Sequence, residues 1–155
     1  MIYRGELRFN CCESTLMMVN EKHPLPGFGE DILRVASNFG GGVAGWGDMC
    51  GAASGAAMVI GLLYGTEGTE TLKVYDEMRL RERNMTQRFL QSFRERWGYV
   101  SCRGLLGCEG CSPEERFKRY NELKEHGLTH CDEFVEWAAK KTLEMIAEES
   151  HRVPN

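Results

Sequence analysis

The sequence predicts an all-α fold, a single-domain bundle of five or six helices around a central helix rich in glycine and alanine. Apolar residues recur at helical spacing along most of the chain, and start and stop signals divide that pattern into segments. No alternation of apolar and polar residues is long enough to predict a strand. A chain of 155 residues can bury a core without disulfides, so we expect residues 1–155 to form one domain.

The first two predicted helices lie before the centre of the chain. One begins near the adjacent cysteines Cys11 and Cys12, which a helix separates by about 100°. Periodicity places Cys12 on the inward face of that helix, beside Leu16. The second carries apolar residues at helical spacing from Ile32 to Phe39, and three consecutive glycines end it.

The central helix is predicted over residues 50–64 and consists largely of glycine, alanine and serine around Cys50. The uncharged run over residues 49–66 just reaches the length of a short bilayer span. Its apolar character is too weak for that role, so we expect a packed helix and no membrane contact. Gly51 and Gly55 form a G-x-x-x-G pattern, which is typical of helix pairing, so a homodimer is an open alternative.

Three further helices are predicted in the second half of the chain. A long amphipathic segment covers residues 71–97. The stretch "SPEER" begins the next helix, with Ser112 as N-cap and Glu115 completing a capping box. The last helix begins near Cys131 and ends near Glu149. The candidate core positions of the long segment are Leu72, Tyr75, Met78, Met85, Phe89 and Phe93.

The composition excludes several classes of protein. Apolar residues make up 42% of the chain and charged residues 27%, as in ordinary soluble domains. A net charge of −4 argues against nucleic acid and anionic membranes as partners. The first residues lack the apolar segment of a secretory signal, so we expect a cytoplasmic protein.

Seven cysteines are the main functional signal in the sequence. In a reducing compartment such a set indicates metal binding or thiol chemistry rather than a disulfide framework, and the odd number points the same way. One or two of them can instead be small buried hydrophobic residues. The candidate metal ligands are Cys11, Cys12, Cys50, Cys102, Cys108, Cys111 and Cys131.

Two of these cysteines, Cys50 and Cys131, are predicted at helix N-termini. Free N–H groups and the positive end of the helix dipole lower the pKa of a thiol there, so we expect both to favour the thiolate. His130 directly precedes Cys131 and is a candidate ligand or proton donor. The other histidines show no metal-binding spacing.

Three more cysteines, Cys102, Cys108 and Cys111, fall in the glycine-rich stretch "SCRGLLGCEGCSP", which we expect to be a connector. The C-x-x-C spacing of Cys108 and Cys111 is typical of a chelate or a dithiol. Ser112 stands where covalent haem attachment requires histidine, so the sequence predicts no covalent haem.

Four blocks of the sequence together resemble the C-GCAxxG-C-C family of redox-active proteins, a related module of which forms part of the split-Soret cytochromes. The blocks are "FNCCESTL", "FGGGVAGWGDMCGAASGAAMVIGLLYG", "FRERWGYVSCRGLLG" and "HCDEFVEWAAKKTLEMI", within residues 9–146. The signature reads C-G-A here instead of G-C-A. The resemblance implies redox activity or iron–sulfur binding, and it places the family's four cofactor-binding cysteines at Cys11, Cys50, Cys102 and Cys131.

The resulting hypothesis is a redox protein whose convergent cysteines bind an iron–sulfur cluster and pass electrons to an unknown partner protein. Cys108 and Cys111 either complete that site or form a second one. A structural zinc bound by Cys102, Cys108, Cys111 and one more ligand is one alternative, since zinc favours four thiolates. A metal-free dithiol is the other. No general base or substrate pocket follows from the sequence, so whether the protein is an enzyme stays open.

Overall fold

Seven α-helices account for most of residues 1–151, the part of the chain that this computed structural model describes. Residues 152–155 of the predicted domain lie outside the described part. The predicted all-α class is confirmed. The helices are α1 (Cys11–Lys22), α2 (Glu30–Ala36), α3 (Gly51–Tyr64), α4 (Leu72–Trp97), α5 (Cys102–Leu105), α6 (Pro113–Glu125) and α7 (Cys131–Ser150).

Two short elements were not predicted. The helix α5 has four residues, too few to show helical periodicity, and it begins at Cys102, where the sequence suggested a connector. Near the start of the chain, β1 (Tyr3–Arg4) and β2 (Leu7–Arg8) form an antiparallel hairpin. Two-residue strands show no alternation of polar and apolar residues, so the sequence pattern could not reveal them.

The central helix α3 packs against α1, α4 and α7, as the sequence predicted. Its glycines allow the backbone of α1 to come close. A Cβ atom added at Gly51 would lie 3.0 Å from Cys11 Cβ, and one added at Gly55 would lie 2.7 Å from the carbonyl oxygen of Cys12. The small residues that follow Cys50 therefore allow α1 and α3 to pack closely against each other. Within residues 1–151, no helix has the length and apolarity that crossing a membrane requires.

Aromatic side chains of α4 and α7 form one part of the core. Phe89 and Phe93 of α4 are fully buried, and their rings pack against that of Trp137 on α7. Trp97 stacks edge-on against Phe134, with ring centroids 4.9 Å apart. The predicted core positions Met85, Phe89 and Phe93 are thus confirmed.

The first half of α4 departs from the prediction. Leu72 was expected in the core but is 76% exposed, and Tyr75 and Met78 are only half-buried. The reason is length, because α4 has 26 residues whereas α3 has 14 and can cover only part of it. The prediction for Leu72 is therefore wrong.

Candidate functional site

Four cysteines at the starts of four helices line one cavity of about 410 Å³. Cys11, Cys102 and Cys131 are the first residues of α1, α5 and α7, and Cys50 is the N-cap of α3. Helix starts present free N–H groups and a positive dipole end, so this wall favours negative charge. The structure therefore brings together the four cysteines to which the family resemblance points.

Asn10 fixes the start of α1 and with it the position of Cys11. Its side-chain oxygen accepts hydrogen bonds from the N–H groups of Cys12 and Glu13, at 2.8 and 3.1 Å. Glu13 in turn accepts from the N–H of Asn10 at 2.8 Å, which completes a capping box. The amide of Asn10 also donates to the carbonyl of Ser37 at 2.8 Å. The spacing of Asn10 and Glu13 was visible in the sequence and could have revealed this cap.

Backbone pairing brings Cys50 and Cys102 to the same wall of the cavity. Met49 and Ser101 form an antiparallel bridge. On either side of it, the Cys50 N–H donates to the carbonyl of Val100 at 2.8 Å, and the Cys102 N–H donates to that of Asp48 at 2.6 Å. Two cysteines distant in sequence therefore become neighbours through main-chain hydrogen bonds, which no side-chain pattern predicts.

The start of α7 closes the cavity from the side of α1. The side chain of Cys131 is within hydrogen-bonding contact of Cys11. The neighbouring Asp132 pairs with the amino group of Met1, which also lines the cavity. His130 forms an exposed contact with Glu133, 2.8 Å between Nδ1 and Oε1, and does not line the cavity.

Without a bound cation, the pKa values of three cavity thiols, Cys50, Cys102 and Cys131, are raised, which favours their protonated form. Burial raises the pKa of Cys50 to about 12, and the N–H groups of Ala52 and Ala53 oppose this only in part. The contact with Cys11, followed by burial, raises the pKa of Cys131. The expectation that helix starts lower these two pKa values is therefore wrong, because desolvation and neighbouring thiols outweigh the helix dipole. A thiolate at Cys50 or Cys131 would therefore be favoured by positive charge from a bound group.

Arg116 of α6 supplies the cavity with a buried positive charge. It is 6% exposed, and its Nη2 donates to Cys102 Sγ at 3.4 Å. Its Nε has no hydrogen-bond partner, and no carboxylate among residues 1–151 pairs with it. A buried guanidinium without a counter-charge is costly. Arg116 therefore places a positive charge without a carboxylate partner on the cavity wall.

No sequence pattern points to Arg116, because an arginine in the first turn of a helix usually faces solvent. Only the neighbouring loop reveals its burial. Gly41 and Gly45 of the loop over residues 40–48 lie beside the guanidinium, and a Cβ atom added at Gly41 would lie 2.9 Å from Arg116 Nη2. Gly41, Val43 and Ala44 all have left-handed backbone, with φ of 67°, 61° and 50°. For Val43 and Ala44 this conformation costs roughly 1–2 kcal/mol each.

Cys12 lies apart from the cavity. It is fully buried in the aliphatic core with Leu16 and Val19, and its Sγ is 3.5 Å from Met58 Sδ. Burial raises the pKa of Cys12 to about 12. The predicted inward face is thus correct, but it faces hydrocarbon and not the other cysteines.

Cys108 and Cys111 also lie outside the cavity wall, on the turn between α5 and α6. Their side chains contact each other, and both are half-buried. Cys102 is near enough to raise the pKa of Cys108 slightly further. The structure therefore separates the seven cysteines into a cavity set, a surface pair and one core residue.

The cavity set does not have the spacing of a site for one metal ion. Within residues 1–151, no three His, Cys, Asp or Glu side chains form a group close enough to hold one ion. A single zinc requires each sulfur to lie about 2.3 Å from it. In an iron–sulfur cluster the thiolates bind different iron atoms and stay further apart. The four cysteines line one cavity without forming such a group.

The fold and the site define an all-α protein with cysteines gathered at helix starts. A family model described as "Putative redox-active protein (C_GCAxxG_C_C)" matches residues 9–145. The chain therefore belongs to this redox-active family. Neither the comparison with curated proteins nor the one with solved structures gave a match.

Proposed function

We propose that Cys11, Cys50, Cys102 and Cys131 bind an iron–sulfur cluster, and that the protein passes electrons between it and a partner protein. The observation that carries the proposal is the cavity of about 410 Å³ with four cysteines on its wall. Four thiolates are the usual ligands of such clusters, and this volume suits a polynuclear group better than one ion. When bound, the cluster would supply one-electron redox chemistry.

The charge around the cavity supports the same proposal. Thiolates on a cluster carry net negative charge, and the buried guanidinium of Arg116 would balance part of it. Its hydrogen bond to Cys102 Sγ at 3.4 Å reduces the charge on that sulfur. Charge and hydrogen bonds to ligand sulfur set cluster potentials, so Arg116 is expected to raise the reduction potential.

Buried apolar side chains would limit the contact of the bound group with water on part of the remaining wall. Phe134 and Leu106 are both about 95% buried and line the cavity, at 6% and 5% exposure. The backbone of the glycine-rich loop, residues 40–48, closes another side. Apolar lining of this kind reduces the access of water to sulfur ligands. A reducing compartment would keep the thiols available, so we propose that the protein works in the cytoplasm.

The test is a metal analysis of the whole protein purified without oxygen. We expect a brown protein with iron and acid-labile sulfide in matching amounts, and a visible spectrum that bleaches on reduction. Electron transfer is then measured as the rate at which the reduced protein reduces an added redox protein. A colourless protein that holds zinc, or one that takes up no iron and sulfide on anaerobic reconstitution, would contradict the proposal.

A metal-free dithiol formed by Cys11 and Cys131 is the second candidate function. The contact between their side chains favours it. Oxidation would join the two sulfur atoms and release two protons and two electrons to an oxidant such as a disulfide. Peptide mapping after oxidation would detect this bond. If Cys11 and Cys131 resist alkylation in the iron-loaded protein, the dithiol function is ruled out in favour of the cluster.

A further inference from the structure

We propose that Cys108 and Cys111 form a thiol–disulfide exchange site that reduces small-molecule disulfides. The two residues lie outside the cavity of the four cysteines, and the family resemblance assigns them no role. Their side chains contact each other and both are half-buried at the surface. A small disulfide can reach such recessed sulfur atoms more easily than a folded protein can. This site goes beyond the proposed cluster and does not depend on it.

The backbone holds the two cysteines at disulfide spacing. The N–H of Cys111 donates to the carbonyl of Cys108 at 2.9 Å, and Gly110 has a φ of 83°. These are the features of a type II turn, whose first and fourth Cα atoms lie within about 7 Å. Disulfides span Cα distances of about 4.4–6.8 Å. Closing a bond between Cys108 and Cys111 therefore requires little backbone movement.

Neighbouring residues anchor both ends of the turn. Arg103 accepts a hydrogen bond at its carbonyl from the Cys108 N–H at 3.0 Å, and its Nη1 donates to the Cys111 carbonyl at 3.3 Å. Ser101 donates to the carboxylate of Glu109 within the turn, at 3.0 Å. These hydrogen bonds hold the reduced turn close to the shape that a disulfide needs, which favours reversible exchange.

The position of α6 distinguishes the two thiols. Cys111 directly precedes Ser112, the N-cap of this 13-residue helix, so its sulfur lies near the positive end of the helix dipole. Burial and the hydrogen bond to Cys111 raise the pKa of Cys108 to about 11. From its place before α6, we assign Cys111 as the sulfur that attacks the substrate and Cys108 as the resolving thiol.

The reaction follows from these roles in two steps. The Cys111 thiolate attacks one sulfur of the substrate, which breaks the substrate S–S bond, forms a mixed disulfide and releases one thiolate. Cys108 then gives its proton to water and attacks Cys111 Sγ, which releases the second substrate thiol. In sum, two protein thiols are oxidised to a disulfide and one substrate disulfide is reduced to two thiols.

The test uses glutathione disulfide as the probe on the whole protein, purified without oxygen. Trypsin releases residues 104–116 as one peptide, whose only cysteines are Cys108 and Cys111. We expect this peptide to become lighter by two hydrogen atoms while two glutathione thiols are released per protein. A peptide that keeps both thiols, or a disulfide that joins either cysteine to another peptide, would overturn the proposal.

Single variants test the two roles separately. In Cys108→Ser, we expect one glutathione to be released and the other to stay on Cys111 as a stable mixed disulfide. In Cys111→Ser, the first release should slow by roughly tenfold or more, since the nucleophile is lost. Cys12→Ala is the matched control and should react as the unmodified protein does. Equal rates in Cys111→Ser and the control would overturn the assignment.

The outcome is separable from that of the proposed cluster. Circular dichroism establishes that each variant folds, and the visible spectrum reports the cluster independently. We expect Cys108→Ser and Cys111→Ser to keep the chromophore of the unmodified protein. If both lose it, the two residues are cluster ligands and the exchange site is ruled out. If the protein binds no cluster at all, the glutathione reaction still tests the exchange site.

Discussion

Cys11 and Cys12 are adjacent in sequence, yet they belong to two different regions of the molecule. Cys11 lies on the cavity wall with three other cysteines and a buried arginine, whereas Cys12 lies in an aliphatic core against Met58. The same helices, α1 and α3, build both regions. The comparison shows that the chemistry of a cysteine in this fold depends on which helix face it occupies, and not on its burial alone.

The largest effect is expected from removing one thiol in each region. Cys50→Ser removes a proposed cluster ligand, so the iron content after anaerobic purification should fall by roughly tenfold or more. Cys12→Ala removes a core thiol and should keep the chromophore, at a stability cost of about 1–2 kcal/mol. Iron analysis and urea unfolding measure the two effects. If the Cys12 variant lost its iron and the Cys50 variant stayed brown, Cys12 would be the ligand and Cys50 would not.

Two glycines of α3 test the close approach of α1. Gly55→Ala places a Cβ atom 2.7 Å from the Cys12 carbonyl, so we expect a loss of about 1–3 kcal/mol in the free energy of unfolding. Gly61→Ala is the matched control, because a Cβ atom there meets no atom within 4 Å. It should gain about 0.5–1 kcal/mol from helix propensity. Equal stability changes would mean that α1 and α3 are not in such close contact.

Alkaline pH should destabilise the metal-free protein through both regions. The pKa of Cys12 and that of Cys50 are each raised from 9.0 to about 12 in the folded protein. The thiols are neutral when protonated, so their contribution to stability is complete below pH 9 and is lost as the pH rises toward 12. Each group adds a slope of about 1.4 kcal/mol per pH unit in that range.

Two variants test whether this pH dependence of the free energy of unfolding comes from Cys12 and Cys50. In the metal-free protein, Cys12→Ala and Cys50→Ser should each make the free energy of unfolding depend less steeply on pH, by the contribution of one thiol. Urea titrations between pH 9 and 12 measure this slope. An unchanged slope in Cys50→Ser would mean that this thiol is hydrated when no metal is bound. That result would show that water reaches the cavity around Cys50, whereas the core around Cys12 excludes it.

The smallest effect is expected at Arg116, and its sign depends on the bound group. In the metal-free protein, Arg116→Met removes a buried cation without a carboxylate partner and should raise stability by about 1 kcal/mol. In the iron-loaded protein, the same change should lower both stability and reduction potential. Lys118→Met, on the same helix but exposed, is the control and should change neither. Destabilisation of similar size in both forms would show that Arg116 only fills space.

Several features of this protein could be predicted from its sequence because they depend on neighbouring residues along the chain. The start of α6 at Ser112 follows from a capping box, and the buried positions Met85, Phe89 and Phe93 follow from helical periodicity. The family match over residues 9–145 agrees with the resemblance that singled out Cys11. Local hydrogen bonds and spacing decide such features, so a linear pattern is sufficient.

Tertiary structure decided the rest. Periodicity placed Cys12 inward but could not tell an aliphatic core from a cavity, since that depends on which residues other helices contribute. Leu72 became exposed because α3 is too short to cover it, and Arg116 became buried because a left-handed loop over residues 40–48 closes on it. Desolvation also reversed the pKa expected for Cys50 at a helix start. Burial and charge are properties of the packed surroundings, and a helix pattern specifies only one side of each contact.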